Sequence, residues 1–208
     1  MTTLATGIDV LDRKLGGGIP AGRIVVLSAS PVSQSELILY EIASVRPTVY
    51  LTTERRVPDV EASFERTVDG SAADIDVYHL GTDDPVGDAR QALELVPDEG
   101  TIIVDPMQLL EGVDTDVYRT FLNDLKARTW ETNSLTLLHC LDGRSVPDQR
   151  DRTEYLADII FTLSTTVRGG TVKNSLSIPK FRGGQALSES IDLDLTTDVT
   201  VDVSRRIA

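Results

Sequence analysis

The segment SASPVSQS, residues Ser28 to Ser35, contains the side chains whose types and spacing could do chemistry. It follows the apolar run RIVVL, which ends at Leu27, and it precedes the helix-like run ELILYEIASV, which begins at Glu36. A strand, a short turn of small residues and a helix N-terminus form the frame of a phosphate-binding loop, because the first amides of a helix point toward an anion. The frame therefore predicts a nucleotide site, and the residues inside it decide how well that site works.

The phosphate-loop pattern G-x-x-x-x-G-K-[ST] combines glycines that let backbone amides wrap phosphate, a lysine for the outer phosphates and a hydroxyl for Mg²⁺. Here serine takes both glycine positions, Ser28 and Ser33, and Gln34 takes the lysine position. Ser30 lies inside the loop, and the hydroxyl of Ser35 matches the pattern. A serine in left-handed backbone space costs about 1–2 kcal/mol, and a charge-assisted bond to phosphate contributes roughly 1.5–3 kcal/mol. These losses predict ATP binding weakened by about two to four decades.

The segment before this loop carries a more specific pattern. TGIDVLDRKLGGGIPAGRIVVLSAS, from Thr6 to Ser30, closely resembles the lead-in to the phosphate loop in RecA-superfamily proteins of the KaiC and archaeal RadA type. The resemblance extends from about Thr6 to Leu195 and implies an ATP-binding domain of this fold with a degenerate loop. The matching positions are Thr6, Gly7, Leu11, Asp12, Leu15, Gly16, Gly17, Gly18, Ile19, Pro20 and Gly22.

Further positions take expected roles from this resemblance. Glu54, at the end of VYLTTE, corresponds to the catalytic glutamate that polarises the attacking water, and Asp105, at the end of TIIVD, corresponds to the aspartate that holds Mg²⁺. Lys180 and Arg182, in IPKFRGG, correspond to a pair that reaches the nucleotide of the neighbouring subunit. The resemblance thus implies ATP and Mg²⁺ as cofactors, held weakly or not at all, with Ser35 and Asp105 as the metal ligands.

Two of the acidic positions also have ordinary structural interpretations. Asp105 can cap the turn that follows its strand, and Glu54 can pair with Arg55 or Arg56 on a solvated loop. These alternatives stay open at the level of sequence.

The remaining candidates also have structural alternatives. Lys180 and Arg182 can be surface charges that help subunits recognise one another. His139 lies where relatives place a polar sensor, although a hydrogen-bonded structural histidine is the simpler interpretation. Trp130, at a helix end, is expected in the core rather than as a base-stacking platform. Cys140, alone in an apolar run, is expected to be a small core residue.

Runs of buried-type residues alternate with amphipathic segments along most of the chain. This alternation predicts a three-layer α/β sandwich whose mostly parallel central sheet is covered on both faces. The strand candidates are RIVVL (23–27), TVYLTT (48–53), IDVYHL (75–80), TIIVD (101–105) and LTLLHC (135–140), and the helix candidates cover 36–45, 57–68, 86–96 and 115–131.

The last quarter of the chain predicts antiparallel strands instead. RGG at 168–170 indicates a hairpin turn, and IDLDL and VTVDV flank a second turn. We therefore expect one RecA-like domain over residues 1–208, with a core of about 6–190 and a terminal strand pair within 191–208. We also expect RIVVL, TVYLTT, TIIVD and LTLLHC to be adjacent, so that Ser28, Glu54, Asp105 and His139 converge at their C-terminal edge.

The composition limits which cellular environments and binding partners are compatible with this chain. The 208-residue chain has a net charge of −13 and contains only four lysines, Lys14, Lys126, Lys173 and Lys180. An acidic, lysine-poor surface suits a salt-rich cytoplasm where charges are strongly screened, so we hypothesise a halophilic, haloarchaeal source, with an ordinary acidic mesophile as the alternative. The charge makes nucleic acid an unfavoured partner. No long apolar run or signal-peptide pattern is present, which makes the cytoplasm the expected location.

The sequence leaves two main hypotheses of function open. The first is a pseudo-ATPase that works as a regulatory or scaffold protein, as a homo-oligomer or in a complex with a related RecA/KaiC-like subunit. The second is a weakly active ATPase in signalling, motility or DNA recombination. Fold alone does not choose between them.

Overall fold

Continuous apolar runs form the inner strands of one nine-stranded sheet, as expected for strands that are buried on both faces. The computed structural model describes residues 2–67, 74–184 and 186–201. The strands are β1 (Thr3–Leu4), β2 (Ile19–Pro20), β3 (Arg23–Ala29), β4 (Thr48–Thr52), β5 (Ile75–His79), β6 (Thr101–Asp105), β7 (Leu135–Leu141), β8 (Ile159–Arg168), β9 (Thr171–Phe181), β10 (Ile191–Leu195) and β11 (Val199–Val201).

Helices fill most of the connections between these strands. They are α1 (Asp9–Lys14), α2 (Glu36–Ser44), α3 (Val57–Thr67), α4 (Pro85–Leu93), α5 (Gln108–Glu111), α6 (Thr115–Glu131) and α7 (Arg150–Leu156). Asp84 begins α4 by accepting a hydrogen bond from the Gly87 amide, and Asp114 begins α6 by accepting from the amides of Asp116 and Val117. No helix in the described ranges is long and apolar enough to cross a membrane.

The large sheet has the strand order β11-β10-β9-β8-β3-β7-β6-β4-β5. The strands from β8 to β5 in this order run parallel, whereas β9, β10 and β11 join antiparallel. This arrangement confirms the predicted fold class and the predicted adjacency of the four central runs. The terminal pair extends the same sheet as far as Val201, and residues 202–208 lie outside the described residues.

Alternate residues of β3 face opposite layers, which makes the fold a three-layer sandwich. Val25 and Leu27 pack in the cluster that includes residues of α1, α2 and α3, while Ile24 and Val26 pack in the cluster with residues of α4, α5 and α6. The period of two along a strand sends successive side chains to opposite faces, so a strand covered on both faces is apolar throughout.

The glycine-rich lead-in is fixed by hydrogen bonds and by close backbone packing. The Thr6 amide and hydroxyl each donate to Asp12 Oδ1 at 2.8 Å, which fixes the turn into α1. Gly18 has φ 119°, and a Cβ there would lie 2.4 Å from the Leu4 carbonyl oxygen, so that only glycine fits where β2 returns to β1.

Trp130 corrects one expectation. Its side chain is 65% exposed, so the prediction that it lies in the core is wrong. The residue occupies the last turn of α6, and its ring lies over Gly22, where an added Cβ would be 3.2 Å from Cε3. Cys140, in contrast, is fully buried in β7, and burial raises the pKa of its thiol, as expected for a core residue.

Candidate functional site

The C-terminal ends of the parallel strands bring three predicted site residues into one hydrogen-bonded chain. Ser35 immediately precedes α2, Asp105 ends β6, and His139 lies near the end of β7. Ser35 Oγ and His139 Nε2 are 2.9 Å apart, and His139 Nδ1 is 2.6 Å from Asp105 Oδ1. All three residues are buried, with exposures of 2% for Ser35, 7% for Asp105 and 4% for His139. The imidazole therefore bridges the two residues expected to hold Mg²⁺.

The second oxygen of Asp105 is also engaged. The Tyr50 hydroxyl, from β4, donates to Asp105 Oδ2 at 2.5 Å. Arg55 lies 3.8 Å from the same oxygen and donates a hydrogen bond to the Tyr40 hydroxyl, which belongs to α2. The network thus extends from His139 to α2 and leaves neither carboxylate oxygen of Asp105 without a partner.

The electrostatics of the network favour an ionised Asp105. Burial pushes the pKa of its carboxyl upward, but the hydrogen bonds from His139 and Tyr50 and the positive charge of Arg55 outweigh burial and hold the pKa below its usual value. Burial, reinforced by the nearby Asp105 charge, raises the pKa of the Tyr50 hydroxyl and keeps it a donor. An ionised Asp105 accepts a hydrogen bond from Nδ1 of His139, and Nε2 of the same ring bonds to the Ser35 hydroxyl.

The loop before α2 does not have the conformation that glycine at the two motif positions would require. The Ser33 amide and hydroxyl both bond to the Ser30 carbonyl oxygen, at 2.9 and 2.6 Å, and close a tight turn. Among the described residues, the non-glycine positions with positive φ are Glu99 and Asn133, and neither lies in this loop. The expectation that serine strains the loop is therefore wrong, since the loop has a different shape in which serine is unstrained.

Ser28 lies at the C-terminal end of β3. It is part of β3, paired with Cys140 of β7 and Thr162 of β8, and is half-buried. The strand continues to Ala29 because both neighbouring strands are long enough to supply partners. The loop pattern therefore begins within the end of β3, and the assignment of Ser28 to the phosphate loop stays a prediction.

The groove beside the loop is unsuited to a polyphosphate. Gln34 is exposed and, with Val32 and Ser33, faces Asn174, Asp194 and Leu195 across a cavity of about 440 Å³. None of the described residues that line this cavity is lysine or arginine, and Asp194 adds a negative charge. A nucleotide triphosphate would meet repulsion here and no compensating cation.

Glu54 lies at the same sheet edge but outside the network. It follows β4 and is exposed. Neither proposed pairing is present, because Arg55 bonds to Tyr40 and Arg56 pairs with Asp59 at 2.8 Å. The position is compatible with contact to solvent or to another molecule.

Lys180 and Arg182 lie at the opposite edge of the sheet. Lys180 pairs with Ile160 near the start of β8, which places both cations at the N-terminal ends of the parallel strands. Lys180 Nζ donates to the carbonyl oxygens of Glu154 and Tyr155 at 2.6 and 3.0 Å, and Arg182 donates to the latter at 3.0 Å. Neither residue can reach the Ser35–Asp105 edge of its own chain.

These residues do not fit ATP with Mg²⁺. Ser35 and Asp105, the expected metal ligands, are bound to His139, and the loop offers Gln34 in place of a cation. The described residues contain no group of three or more His, Cys, Asp or Glu side chains suited to a metal ion. No catalytic step through a metal-bound nucleotide follows from this geometry.

The connectivity Ser35–His139–Asp105 also matches that of a hydrolytic triad. A nucleophile must reach its substrate, however, and Ser35 is 2% exposed beneath its loop. The chain of bonds therefore holds the strand ends and α2 together rather than activating a serine.

Sequence reasoning missed the other polar groups that support this edge. Arg150, 5% exposed, makes a two-pronged ion pair with Glu111, 2% exposed, with both N–O distances 2.8 Å. Thr153 donates to Glu111 at 2.6 Å, and Arg150 also donates to the Leu141 carbonyl at the end of β7. An arginine in the first turn of a short helix gave no sequence signal of burial.

Comparison with known proteins shows which proteins have a similar fold. The crystal structure of a KaiC-like protein, PH0186, from Pyrococcus horikoshii OT3 superposes with a TM-score of 0.75 over 97% of this chain and 99% of that chain, at 16% identity. Two proteins named DNA repair protein RadA, from Mycobacterium tuberculosis strains CDC 1551 / Oshkosh and ATCC 25618 / H37Rv, are each 28% identical over 116 residues. That match covers 53% of this chain but only 24% of each RadA protein.

The fold is therefore that of a RecA-superfamily domain of the KaiC- and RadA-like type, as the lead-in motif indicated. Residues 3–208 match the model of the Family of unknown function (DUF7125), and the chain belongs to that family.

Proposed function

We propose that this protein is a pseudo-ATPase of the KaiC- and RadA-like group that acts as a regulatory or scaffold subunit. One observation carries the proposal: His139 binds both Ser35 and Asp105, the two side chains that a metal–nucleotide complex would need. Taking over this site would require breaking two buried hydrogen bonds, one of them to an ionised carboxylate. Such a loss costs about 1.5–3 kcal/mol for a bond to a charged group.

The loop supports the same proposal. The lysine position is the exposed Gln34, and the adjacent groove contains Asp194. Binding of a phosphate chain would rest on backbone amides alone, without the fixed cation that usually offsets phosphate charge.

Calorimetric titration with ATP and Mg²⁺ at high KCl tests the proposal directly. An ATPase with an intact phosphate loop, titrated in the same buffer, shows that the conditions permit binding. We expect no saturable heat from this protein. Submicromolar binding would overturn the pseudo-ATPase assignment.

A weakly active ATPase is the second candidate, and the position of Glu54 favours it. Glu54 is exposed at the same edge as Ser35, where a carboxylate could orient a water molecule. This candidate requires ATP-dependent phosphate release that is lost in Glu54→Gln. The RadA relatives are named for DNA repair, but the net charge of −13 opposes a nucleic-acid role for this chain.

The partners, source and location are part of the proposal. A scaffold function requires either self-association or a complex with a related RecA/KaiC-like subunit. The placement of Lys180 and Arg182 away from their own Ser35–Asp105 edge is compatible with contact to a neighbour. We also propose a haloarchaeal cytoplasm, supported by the acidic, lysine-poor composition.

A further inference from the structure

The hairpin of β8 and β9 extends an apolar face of the sheet into solvent. Leu163 and Leu176 pair across this hairpin and are buried in the cluster that includes residues of α1, α2 and α3. Four residues closer to the turn on each strand, Val167 pairs with Val172, and these side chains are 69% and 58% exposed. Residues at even spacing along a strand share a face, so the two valines continue the face that is buried at Leu163 and Leu176.

The alternation along the hairpin indicates that its apolar face is suited to burial. An antiparallel sheet with one polar and one apolar face normally packs the apolar face against another layer. The valines therefore occupy positions at which a covering layer is expected. The residues that alternate with them on the opposite face are all polar: Ser164, Thr166, Arg168, Thr171, Lys173 and Ser175.

A groove lies beside the exposed valines. Val32, in the loop before α2, is 87% exposed and lines the cavity of about 440 Å³ together with Val172. The buried Leu193 and Leu195 belong to the same lining. We call Val32, Val167 and Val172, together with this groove, the valine face. An aliphatic side chain placed in the groove would remove apolar surface of both molecules from water.

A nearly buried amide in the groove adds a polar requirement. Asn174 is 9% exposed and belongs to the lining. Its side-chain oxygen accepts a hydrogen bond from the Thr165 hydroxyl at 2.8 Å, whereas its side-chain nitrogen has no hydrogen-bond partner among the described residues. An unpaired donor in a nearly buried position is costly, so a ligand carbonyl that accepts from it would be favoured. A peptide backbone supplies one carbonyl at every residue.

The charge of the groove selects the sign of a partner. Among the described residues that line it, Asp194 alone carries a charge. The cations of the hairpin, Arg168 and Lys173, belong to its polar face. Because the whole chain carries −13, the potential around this surface attracts a positively charged segment and repels an acidic one. A lysine or arginine beside the aliphatic residue of a partner would pair with Asp194.

We propose that the valine face binds a short segment of a different protein. An aliphatic side chain of that segment fills the groove, an adjacent lysine or arginine pairs with Asp194, and a backbone carbonyl accepts from Asn174. The inference rests on the proposed regulatory or scaffold function and adds the chemistry of its partner. Binding of this kind depends on a few buried anchor side chains surrounded by polar contacts.

Selection of a random library of short peptides on the immobilised full chain at high KCl tests the inference. Fluorescence anisotropy then gives the dissociation constants of the selected peptides. Val172→Ser removes an apolar contact of the valine face, and Val117→Ser makes the same change at a 43% exposed position of α6 as the matched control. Asp194→Lys reverses the charge of the groove, and the exposed Asp98→Lys is its control. Circular dichroism verifies that all four variants fold.

We expect the selected peptides to share an aliphatic residue next to a lysine or arginine. Val172→Ser should raise the dissociation constant of such a peptide by about tenfold, and Val117→Ser by less than about twofold. Asp194→Lys should weaken the same peptide and favour its counterpart in which glutamate replaces the basic residue, because the charge preference of the groove is reversed. Asp98→Lys should leave that preference unchanged.

Three outcomes would overturn the inference. If no peptide is enriched, or if the enriched peptides bind Val172→Ser as tightly as the unmodified chain, the site is removed and the pseudo-ATPase proposal stays intact. If Val172→Ser converts a self-associated chain to monomers, the valine face is a contact between copies of this chain. If ATP with Mg²⁺ displaces the peptide, the groove is a nucleotide site, and both proposals are defeated.

Discussion

His139 offers one ring nitrogen to Ser35 and the other to Asp105, so a single imidazole satisfies two buried groups. Neither bond depends on a ligand, and both lie beneath the loop. Because the ring pairs a carboxylate that is 7% exposed, its removal leaves Oδ1 of Asp105 without a hydrogen-bond partner in a place that water hardly reaches.

We predict that His139→Ala destabilises the fold by roughly 2–4 kcal/mol, through the loss of its buried hydrogen bonds to Asp105 and Ser35 and the cavity left by the ring. Added imidazole should recover part of that loss by filling the cavity and binding Asp105. Urea unfolding with and without imidazole measures both effects. His79→Ala, at the exposed end of β5, is the matched control. Equal stability of the two variants would contradict a pairing role for His139.

The loss of fold stability at acid pH should depend on Asp105. Its pKa is depressed in the fold, so its contribution is complete above the ordinary aspartate pKa of about 3.9 and is lost as pH falls through the lower folded value. Asp105→Asn should therefore be less stable than wild type at neutral pH, with a smaller further loss on acidification. Asp98→Asn, at an exposed position, is the control for thermal unfolding between pH 7 and pH 3. Parallel pH profiles for all three proteins would refute the prediction.

At the scale of elements, the turn before α2 and the polar network beneath it form one unit. Ser33→Gly with Gln34→Lys supplies a flexible position and the missing cation, but it leaves Ser35 and Asp105 bound to His139. We therefore expect this loop repair to leave ATP affinity weaker than micromolar in calorimetry. Submicromolar binding by the repaired protein would show that the loop alone silences the site.

The Glu111–Arg150 pair joins α5 to α7 and, through the Leu141 carbonyl, to the end of β7. Removing one partner leaves the other charge buried and alone, so Glu111→Leu or Arg150→Met should each cost about 3–5 kcal/mol. The double variant should cost clearly less than the sum, because no charge remains unpaired. Denaturant unfolding of the four proteins in this cycle measures the coupling, and strict additivity would contradict it.

At the scale of the whole molecule, surface charge sets the conditions in which the chain folds. With a net charge of −13, we expect the fold to strengthen as KCl rises toward about 1 M, where the Debye length is about 3 Å. Neutralising the exposed Asp83, Asp98 and Asp148 to asparagine should lower the KCl needed for folding, as followed by circular dichroism. A complete fold at low salt in the unmodified protein would argue against a halophilic source.

Much of this architecture was predictable because strong local patterns agree with it. The continuous apolar runs of β3, β4, β6 and β7 predict buried parallel strands, and the meeting of Asp105 with His139 follows from where those strands end. The partners of Asp105 were not predictable, since the choice of Tyr50 and Arg55 depends on distances across strands and helices.

The differences from expectation concern the surroundings of a residue and not the type of residue. Ser28 lies within β3, paired with both β7 and β8, and Trp130 lies exposed in the last turn of α6, over Gly22. Neither fact is encoded within a few residues of the position itself.

The His139 bridge also constrains how the sequence of this protein can change over generations. A smaller residue at 139 removes two buried hydrogen bonds at a cost of roughly 2–4 kcal/mol, a large share of the about 5–15 kcal/mol that keeps a domain folded. A lysine at position 34, acquired first, gains no partner while Ser35 and Asp105 are occupied. No single step toward a metal site is therefore advantageous by itself. Lineages that inherit this edge should retain the bridge and diversify at their surfaces instead.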